Sequence, residues 1–281
     1  MEPDTPFNKK CDLHIHSIFS DSDADVESIF KLAGEKKLSC IAITDHDTVE
    51  AIEEAKLYSK ITGIELIAAI ELSAQKNDSE VHVLGYLIDP HHAKLKEALA
   101  NMRELRHERL LLMIEKLNSL GMKVDKEEVL LKVTGTIPTR LHLALYLVEK
   151  GMALSLRQAF SKYLSPGKPG YVARFKYSVK EAIRVIKDCG GLAFLAHPHL
   201  LPEQVWIEEF IGYELDGLEV VYPKLAEGRA SVYRNMANKF GLLKSGGSDA
   251  HGSYKEFTSV GGVTIPYEWV EEMKARKERR T

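Results

Sequence analysis

The chain has no excess of basic charge: its net charge is −3 and its pI about 6.4. No global positive field draws it to nucleic acid, so any such substrate has to be held by a local patch. Cysteine is scarce. Cys11, Cys40 and Cys189 are far apart, odd in number and set in or beside apolar runs, which reads as buried free thiols. Long hydrophobic runs are missing. The most apolar stretch, LHLALYLV, is too short to span a bilayer, and MEPDTPFNKK has no signal-peptide core, so a soluble, cytoplasmic chain is expected. The sequence has no GxGxxG or Walker loop, no internal repeat and no low-complexity tract, and nucleotide binding as a cofactor is not indicated.

What is present is length and alternation. A chain of 281 residues with 44% hydrophobic residues suits one large α/β domain, or one with an insertion. CDLHIH, CIAIT, ELIAAIEL and EVHVLGYLI read as strands, with helices at 26–37 and 49–61 between them. GGLAFLA, DGLEVVY and LLKSGG follow later. A capping box, Ser178 to Glu181, opens a helix to Cys189, and another helix is expected at 226–240. This rhythm predicts a parallel sheet covered by helices.

The rhythm breaks after Pro90. A long helix is expected at 93–121, and shorter ones at 126–132, 140–149 and 156–163. Residues 91–170 therefore read as a helical insertion, a small lid subdomain set into a body formed by 9–90 and 171–281. SPGKPG marks the return. The final KARKERRT reads as a solvated helix end.

The chemistry-bearing residues collect at strand ends. In CDLHIHSIFSDSD, His14 and His16 share one strand face and Leu13 and Ile15 the other. Two same-face imidazoles are a poor core choice and a good metal-ligand choice. CIAIT runs into Asp45-His46-Asp47, the next strand ends at Glu71, and His82 lies in the one after. GGLAFLA runs into His197-Pro198-His199, and LLKSGGS into Asp249-Ala250-His251. Active sites of parallel α/β proteins form at that edge. Histidine and carboxylate ligands without cysteine suit manganese, iron or zinc, and the set is too large for one ion. Two or three ions in one pocket would generate hydroxide at neutral pH and clamp a phosphate ester.

DLHIHS followed by SD, then TDHD, IELS, VHVLGY, AHP and GGSDAHG, run in order from Asp12 to Gly252. In these motifs the sequence resembles the PHP (polymerase and histidinol phosphatase) superfamily. The resemblance implies a distorted (β/α)7 barrel with a di- or trinuclear centre. Its ligands would be His14, His16, Asp21, His46, Glu71, His82, His197, Asp249 and His251, with Glu71 bridging two ions and Asp45 orienting a histidine. Manganese is the first expectation, with iron, zinc or magnesium as alternatives.

TRLHLALYLVEKG, AFSKYLSPGKPGYV and AHP resemble a narrower branch of stand-alone phosphoesterases acting on nucleotides. It holds nucleoside 3′,5′-bisphosphate phosphatases and 5′-to-3′ exoribonucleases of short RNA. The branch's GRPH stands here as Thr139-Arg140-Leu141-His142, which implies Arg140 and His142 at the substrate phosphate. Two departures stand out. Ser22 replaces a usual glycine, with Asp23 and Asp25 close to Asp21, and His199 stands where relatives often carry other residues. His199 is thereby a candidate substrate contact.

The expected reaction is metal-dependent hydrolysis of a phosphate monoester or a 5′-terminal phosphodiester. Asp45, Arg140, His197 and His251 are the catalytic candidates, either of the last two protonating the leaving oxygen if free of metal. The expected partner is a small phosphorylated substrate, a nucleotide or a short RNA end, with no membrane and no stable nucleic-acid complex. Histidinol phosphate, an amide substrate and a non-catalytic metal module are the rival readings. Lys168, Arg174 and Lys176, interleaved with Tyr171, Phe175 and Tyr177, read as a solvated edge rather than a nucleotide grip. His91, His92 and His107 read as surface residues.

Overall fold

The computed structural model describes residues 9–77, 79–173, 177–256 and 258–280. Arg174, Phe175 and Lys176 of the basic-aromatic stretch lie outside them. The first part of the chain runs β1 (Lys10–Ile15), α1 (Val26–Glu35), β2 (Cys40–Ile43), α2 (Ala51–Thr62), β3 (Glu65–Leu66), β4 (Ala69–Lys76) and β5 (Ser79–Tyr86). Four helices follow, α3 (Ala93–Ser119), α4 (Lys126–Leu131), α5 (Arg140–Glu149) and α6 (Leu156–Ala159), the last continued by a π turn over Phe160–Leu164. The chain then alternates again: α7 (Val179–Asp188), β6 (Leu192–Leu195), α8 (Trp206–Ile211), β7 (Gly217–Val221), α9 (Glu227–Phe240), β8 (Leu243–Gly246), β9 (Ile265–Pro266) and α10 (Glu268–Glu278).

Local chemistry sets the boundaries. Asp25 caps α1 by accepting the Ser28 N–H, and Val26, Ile29, Phe30 and Ala33 bury one stripe of that helix. Ser178 and Glu181 form the capping box of α7. Gly63 ends α2 and Gly241 ends α9, both in the left-handed region.

The strands form two mixed sheets, in the orders β3-β2-β1-β9 and β4-β5-β6-β7-β8. The expected all-parallel sheet is corrected here. β5 is antiparallel to both β4 and β6, and β9 is antiparallel to β1. Only two residues, Asn77 and Asp78, separate β4 from β5. So short a link makes a hairpin, because a parallel crossover needs a dozen residues or more. ELIAAIEL is also split, and Glu71 is the third residue of β4 rather than a strand end. Isolated bridges, Ile15 to Ala250 and His46 to Glu71, link the two sheets. The architecture is an α/β fold of two bridged mixed sheets with a helical insertion.

Three apolar clusters lie around the sheets, and a fourth lies among the insertion helices. α3 belongs to both parts. Its Leu95 and Met102 pack into the body, whereas Leu110, Met113, Ile114 and Leu117 pack against Val129, Leu143 and Leu147. None of residues 274–280 at the basic end is buried, as expected of a solvated helix end, and Arg280 pairs with Asp216; α10 is anchored by the preceding Val270 and Met273. Cys11, Cys40 and Cys189 are free and buried. Cys11 and Cys40 are register partners on β1 and β2, which their sequence separation hides. No helix among the described residues is long and apolar enough to cross a membrane.

Candidate metal centre

Asp12, His14 and His16 project from one face of β1 and its exit, as period two requires, and all three are fully buried. Glu71 sits at the centre of the cluster. Its Oε2 lies 3.3 Å from His14 Nε2, 3.2 Å from His16 Nε2 and 3.3 Å from His46 Nδ1. Its Oε1 lies 3.0 Å from His82 Nδ1 and 3.1 Å from His197 Nε2. Each oxygen thus faces its own set of imidazoles. The hairpin makes this possible: in an antiparallel strand the early residue His82 reaches the edge that parallel strands reach at their C-terminal ends.

Asp249 Oδ1 faces His14, His16 and His251 at 3.5, 3.3 and 3.4 Å. Its Oδ2 accepts from Tyr222 Oη at 2.5 Å and pairs with Lys255, so one oxygen is left toward the histidines. Asp21 completes the far end, 3.4 Å from His251 Nε2, 3.6 Å from His16 Nδ1 and 3.7 Å from His46 Nε2. Its two neighbours are used otherwise. Asp25 caps α1, and Asp23 holds Ser253 in the loop after His251. That loop passes so close that a Cβ on Gly252 would meet Asp23 Oδ1 at 1.7 Å.

Among the described residues three potential ion sites emerge: His16, Asp21, His46 and His251; His14, His16 and Asp249; and His46, Glu71 and His82, with the ligand atoms of each group within 4.8 Å. The donor set fits divalent cations. His14 Nε2 and His16 Nε2 are 3.2 Å apart, as are His82 Nδ1 and His197 Nε2, and His16 Nδ1 and His46 Nδ1 are buried without a hydrogen-bond partner. Ring nitrogens crowded together and partnerless are costly unless a cation sits between them. Nitrogen and carboxylate donors without thiolate suit manganese, iron, zinc or magnesium better than a soft ion.

Electrostatics agree. Burial alone would raise the Glu71 and Asp249 carboxyls, but the surrounding imidazoles hold both well below the usual range. Burial, with His16 beside it, pushes His251 down to about 4, which leaves its imidazole neutral. His251 Nδ1 lies 2.9 Å from the Asp249 carbonyl and so carries the proton, turning Nε2 toward Asp21.

Some of the backbone strain of the described residues lies here. Asp47, His197 and Asp249 have φ of 52, 29 and 47°, in the left-handed region that non-glycine residues avoid. Each N–H is pinned by another residue of the site: Asp47 N to Glu71 O at 3.0 Å, His197 N to Glu219 Oε2 at 2.6 Å, and Asp249 N to His14 O at 2.7 Å.

Asp45 departs from expectation. It accepts from Ser17 N at 2.7 Å, Ser17 Oγ at 2.5 Å and Ser20 Oγ at 2.6 Å, so it braces the loop that carries Asp21 instead of orienting a histidine. The orienting carboxylate is Glu219 on β7, 2.8 Å from His14 Nδ1. Sequence reasoning passed over Glu219, although a carboxylate inside the apolar run GLEVV is itself a signal. It also gave no role to Asp12, which accepts from Ser248 N and Gly261 N at 2.8 Å each and whose carboxyl burial pushes up to about 6. His197 and His251 face Glu71 and Asp21, two candidate metal-holding carboxylates, so neither stands apart from the cluster.

Arg140 is half-buried at the start of α5, with Nη2 3.2 Å from Glu80 Oε2 and its guanidinium 6.0 Å from the Tyr171 ring centre. Glu80 Oε1 in turn holds His82 Nε2 at 2.7 Å. His142 is buried, and its Nδ1 accepts from Thr139 N at 3.1 Å. The His199 ring lies tilted against Tyr222 with 4.6 Å between ring centres, and its Nδ1 is buried without a hydrogen-bond partner. Among the other three histidines, His91 and His107 are exposed and His92 is half-buried.

A family model for the PHP domain matches residues 12–164. The chain belongs to the PHP family. Among PHP relatives it is 33% identical over 255 residues to the 5′-3′ exoribonuclease Rnm of Escherichia coli K12, spanning 88% of this chain and 87% of that one. It is 31% identical to the 3′,5′-nucleoside bisphosphate phosphatase of Chromobacterium violaceum, over 85% and 86% of the two chains. A metal-dependent phosphoesterase structure from Bifidobacterium adolescentis superposes with a TM-score of 0.87 and 29% identity, covering 95% of this chain and 96% of that one. The PHP chain is a metal-dependent phosphoesterase, an enzyme acting on phosphate esters and related to the bisphosphatase and exoribonuclease branch.

Proposed function

We propose that this PHP enzyme cleaves the P–O3′ bond next to a nucleoside 5′-phosphate, either in a 3′,5′-bisphosphate or at the 5′ end of a short RNA. The observation that carries the reading is Glu71, whose two oxygens face separate imidazole sets, with Arg140 one carboxylate away through His82 and Glu80. The relatives named as an exoribonuclease and a bisphosphate phosphatase point the same way. Chemically, a bisphosphate is the RNA end with everything beyond its 3′-phosphate removed, so one site serves both.

His14, His16, Asp21, His46, Glu71, His82, His197, Asp249 and His251 would hold two or three divalent ions, manganese first. Such ions lower the pKa of water and neutralise charge on the phosphoryl oxygens. Arg140 supplies a planar cation for the 5′-phosphate. His142 fixes the start of α5 and faces the substrate side of Asp21. His199, set beside Tyr222, is the candidate contact for the leaving oxygen. The two bridged sheets are the distorted (β/α)7 barrel of the family opened between strands, and residues 91–170 form the lid.

Inorganic phosphate and nucleotide release with manganese tests the reading. The panel is a nucleoside 3′,5′-bisphosphate, a nucleoside monophosphate, a 5′-phosphorylated RNA oligomer and histidinol phosphate. Turnover of the first and third is expected. His46→Ala and Asp249→Asn should each lower it by about 100-fold or more while the fold persists. Turnover of histidinol phosphate alone would replace this reading with an amino-acid phosphatase.

A further inference from the structure

A cleft of about 680 Å³ opens beside Asp21, between the body and the insertion. Phe19 and Tyr254 line it from the body, and Lys132, Thr134 and His142 from the insertion. We propose that this cleft is the subsite for the nucleotide on the 3′ side of the scissile phosphate, an inference that rests on the phosphodiester reading above.

The position of the cleft relative to Glu71 makes the argument. Arg140 connects to Glu71 through Glu80 and His82, on the Oε1 side. Asp21 lies at the other end, reached through His16 and His46 on the Oε2 side. A phosphorus held over Glu71 therefore has a built environment on both sides. A phosphate monoester needs only one. A phosphodiester carries a substituent toward each, the 5′-terminal nucleotide on the Arg140 side and the remaining chain on the Asp21 side.

The lining suits a nucleotide. The volume lies within the ordinary range of small-molecule sites. Tyr254 and Phe19 put aromatic rings in the lining, and single-stranded nucleic acid is held largely by base stacking on aromatics. Thr134 is an exposed hydroxyl for sugar or phosphate oxygens. Lys132 is a cation kept at the wall by its ion pair with Glu149 on α5. The Gly252–Asp23 contact and the Ser253–Asp23 bond fix the loop between His251 and Tyr254, so the metal site and the cleft wall are set by one short segment.

The chemistry closes on itself. Water adds to phosphorus, the P–O3′ bond breaks, and O3′ takes a proton to leave as the 3′-hydroxyl of a nucleoside 5′-phosphate. The phosphoryl group stays on the 5′-oxygen of the shortened chain. That product carries a new 5′-phosphate and can shift from the cleft to the Arg140 side for another round.

The test compares kcat/KM on a 5′-phosphorylated RNA tetramer with kcat/KM on a nucleoside 3′,5′-bisphosphate, which has nothing to place in the cleft. Thr134→Trp, which fills the cleft, should lower the RNA-to-bisphosphate ratio by at least about tenfold. Tyr254→Ala should lower it by about five- to a hundredfold, the span of one base–aromatic stack, and Tyr254→Phe should restore it. Manganese stoichiometry should stay at the native value in all three. An unchanged ratio, or equal losses on both substrates, overturns the subsite and leaves the phosphoesterase reading standing. A native protein inert toward both substrates overturns the phosphodiester reading itself, and the subsite falls with it.

Discussion

Arg106 donates through Nε to Asp47 Oδ2 at 2.6 Å, and both side chains are buried. The pair ties α3, the first helix of the insertion, to the turn that follows His46. Arg106 also donates to Ser73 Oγ at 2.9 Å and to the Pro138 carbonyl at 3.1 Å, while Asp47 Oδ1 accepts from Ser73 N at 2.6 Å. The insertion is thereby clamped to β4 and to the turn that follows β2.

Removing one partner of such a pair leaves an uncompensated buried charge. Arg106→Met should destabilise the protein by about 3–5 kcal/mol. Arg106→Met with Asp47→Asn should recover part of that loss. Denaturant unfolding measures both, and a single-variant cost below about 1 kcal/mol would place the pair among weak surface bridges.

Glu219 fixes the tautomer of His14 and pins the His197 backbone. Glu219→Gln should weaken manganese binding by about 10- to 100-fold with little change in the far-ultraviolet dichroism spectrum. Native affinity in a manganese titration of this variant would remove Glu219 from the support of the centre.

Arg140 contacts Glu80 at 3.2 Å and lies over the Tyr171 ring, and it is well placed to exchange the carboxylate for a phosphate. A charge-assisted hydrogen bond contributes about 1.5–3 kcal/mol, so Arg140→Met should cut kcat/KM on 5′-phosphorylated RNA by roughly ten- to a hundredfold. RNA with a 5′-hydroxyl should be cleaved equally by the native and variant enzymes. Equal losses on both RNAs would move Arg140 from recognition of the 5′ end to the reacting phosphate.

Burial disfavours the charged forms of His16 and His82, but Asp249 and Glu71 beside the first, and Glu71 and Glu80 beside the second, outweigh it and hold both at about 9. Both are raised above the usual histidine value, so in the metal-free protein these ion pairs stabilise the fold fully below pH 6.5 and fade as pH rises through about 9. Metal has to displace the same protons. Manganese affinity should therefore climb from neutral pH toward 9, with protons released on binding. Calorimetric titration in two buffers of different ionisation enthalpy reads that release, and heats independent of buffer would contradict it.

The local rules of the chain were legible without coordinates. Period two placed His14 and His16 on one face of β1, and local signals marked α1 and, through its capping box, α7 within a residue or two. These depend on neighbours a few positions away. Asp21 was legible only through the resemblance, because Asp21, Asp23 and Asp25 share one short loop; the cap of α1 takes Asp25 and the incoming loop 251–254 takes Asp23.

The sequence by itself determined the donor inventory, the strand-end positions of most of it and the helical insertion, since composition and periodicity are properties of short segments. Tertiary structure alone decided that Glu71 stands between two imidazole sets, that Glu219 rather than Asp45 orients a histidine, and that Arg106 clamps the insertion to the site. Glu219 lies 205 residues from His14, and Arg106 is one of many charges on a long helix. Charge pairing acts through space, and the chain's order gives no measure of that distance until the sheets bring the partners together.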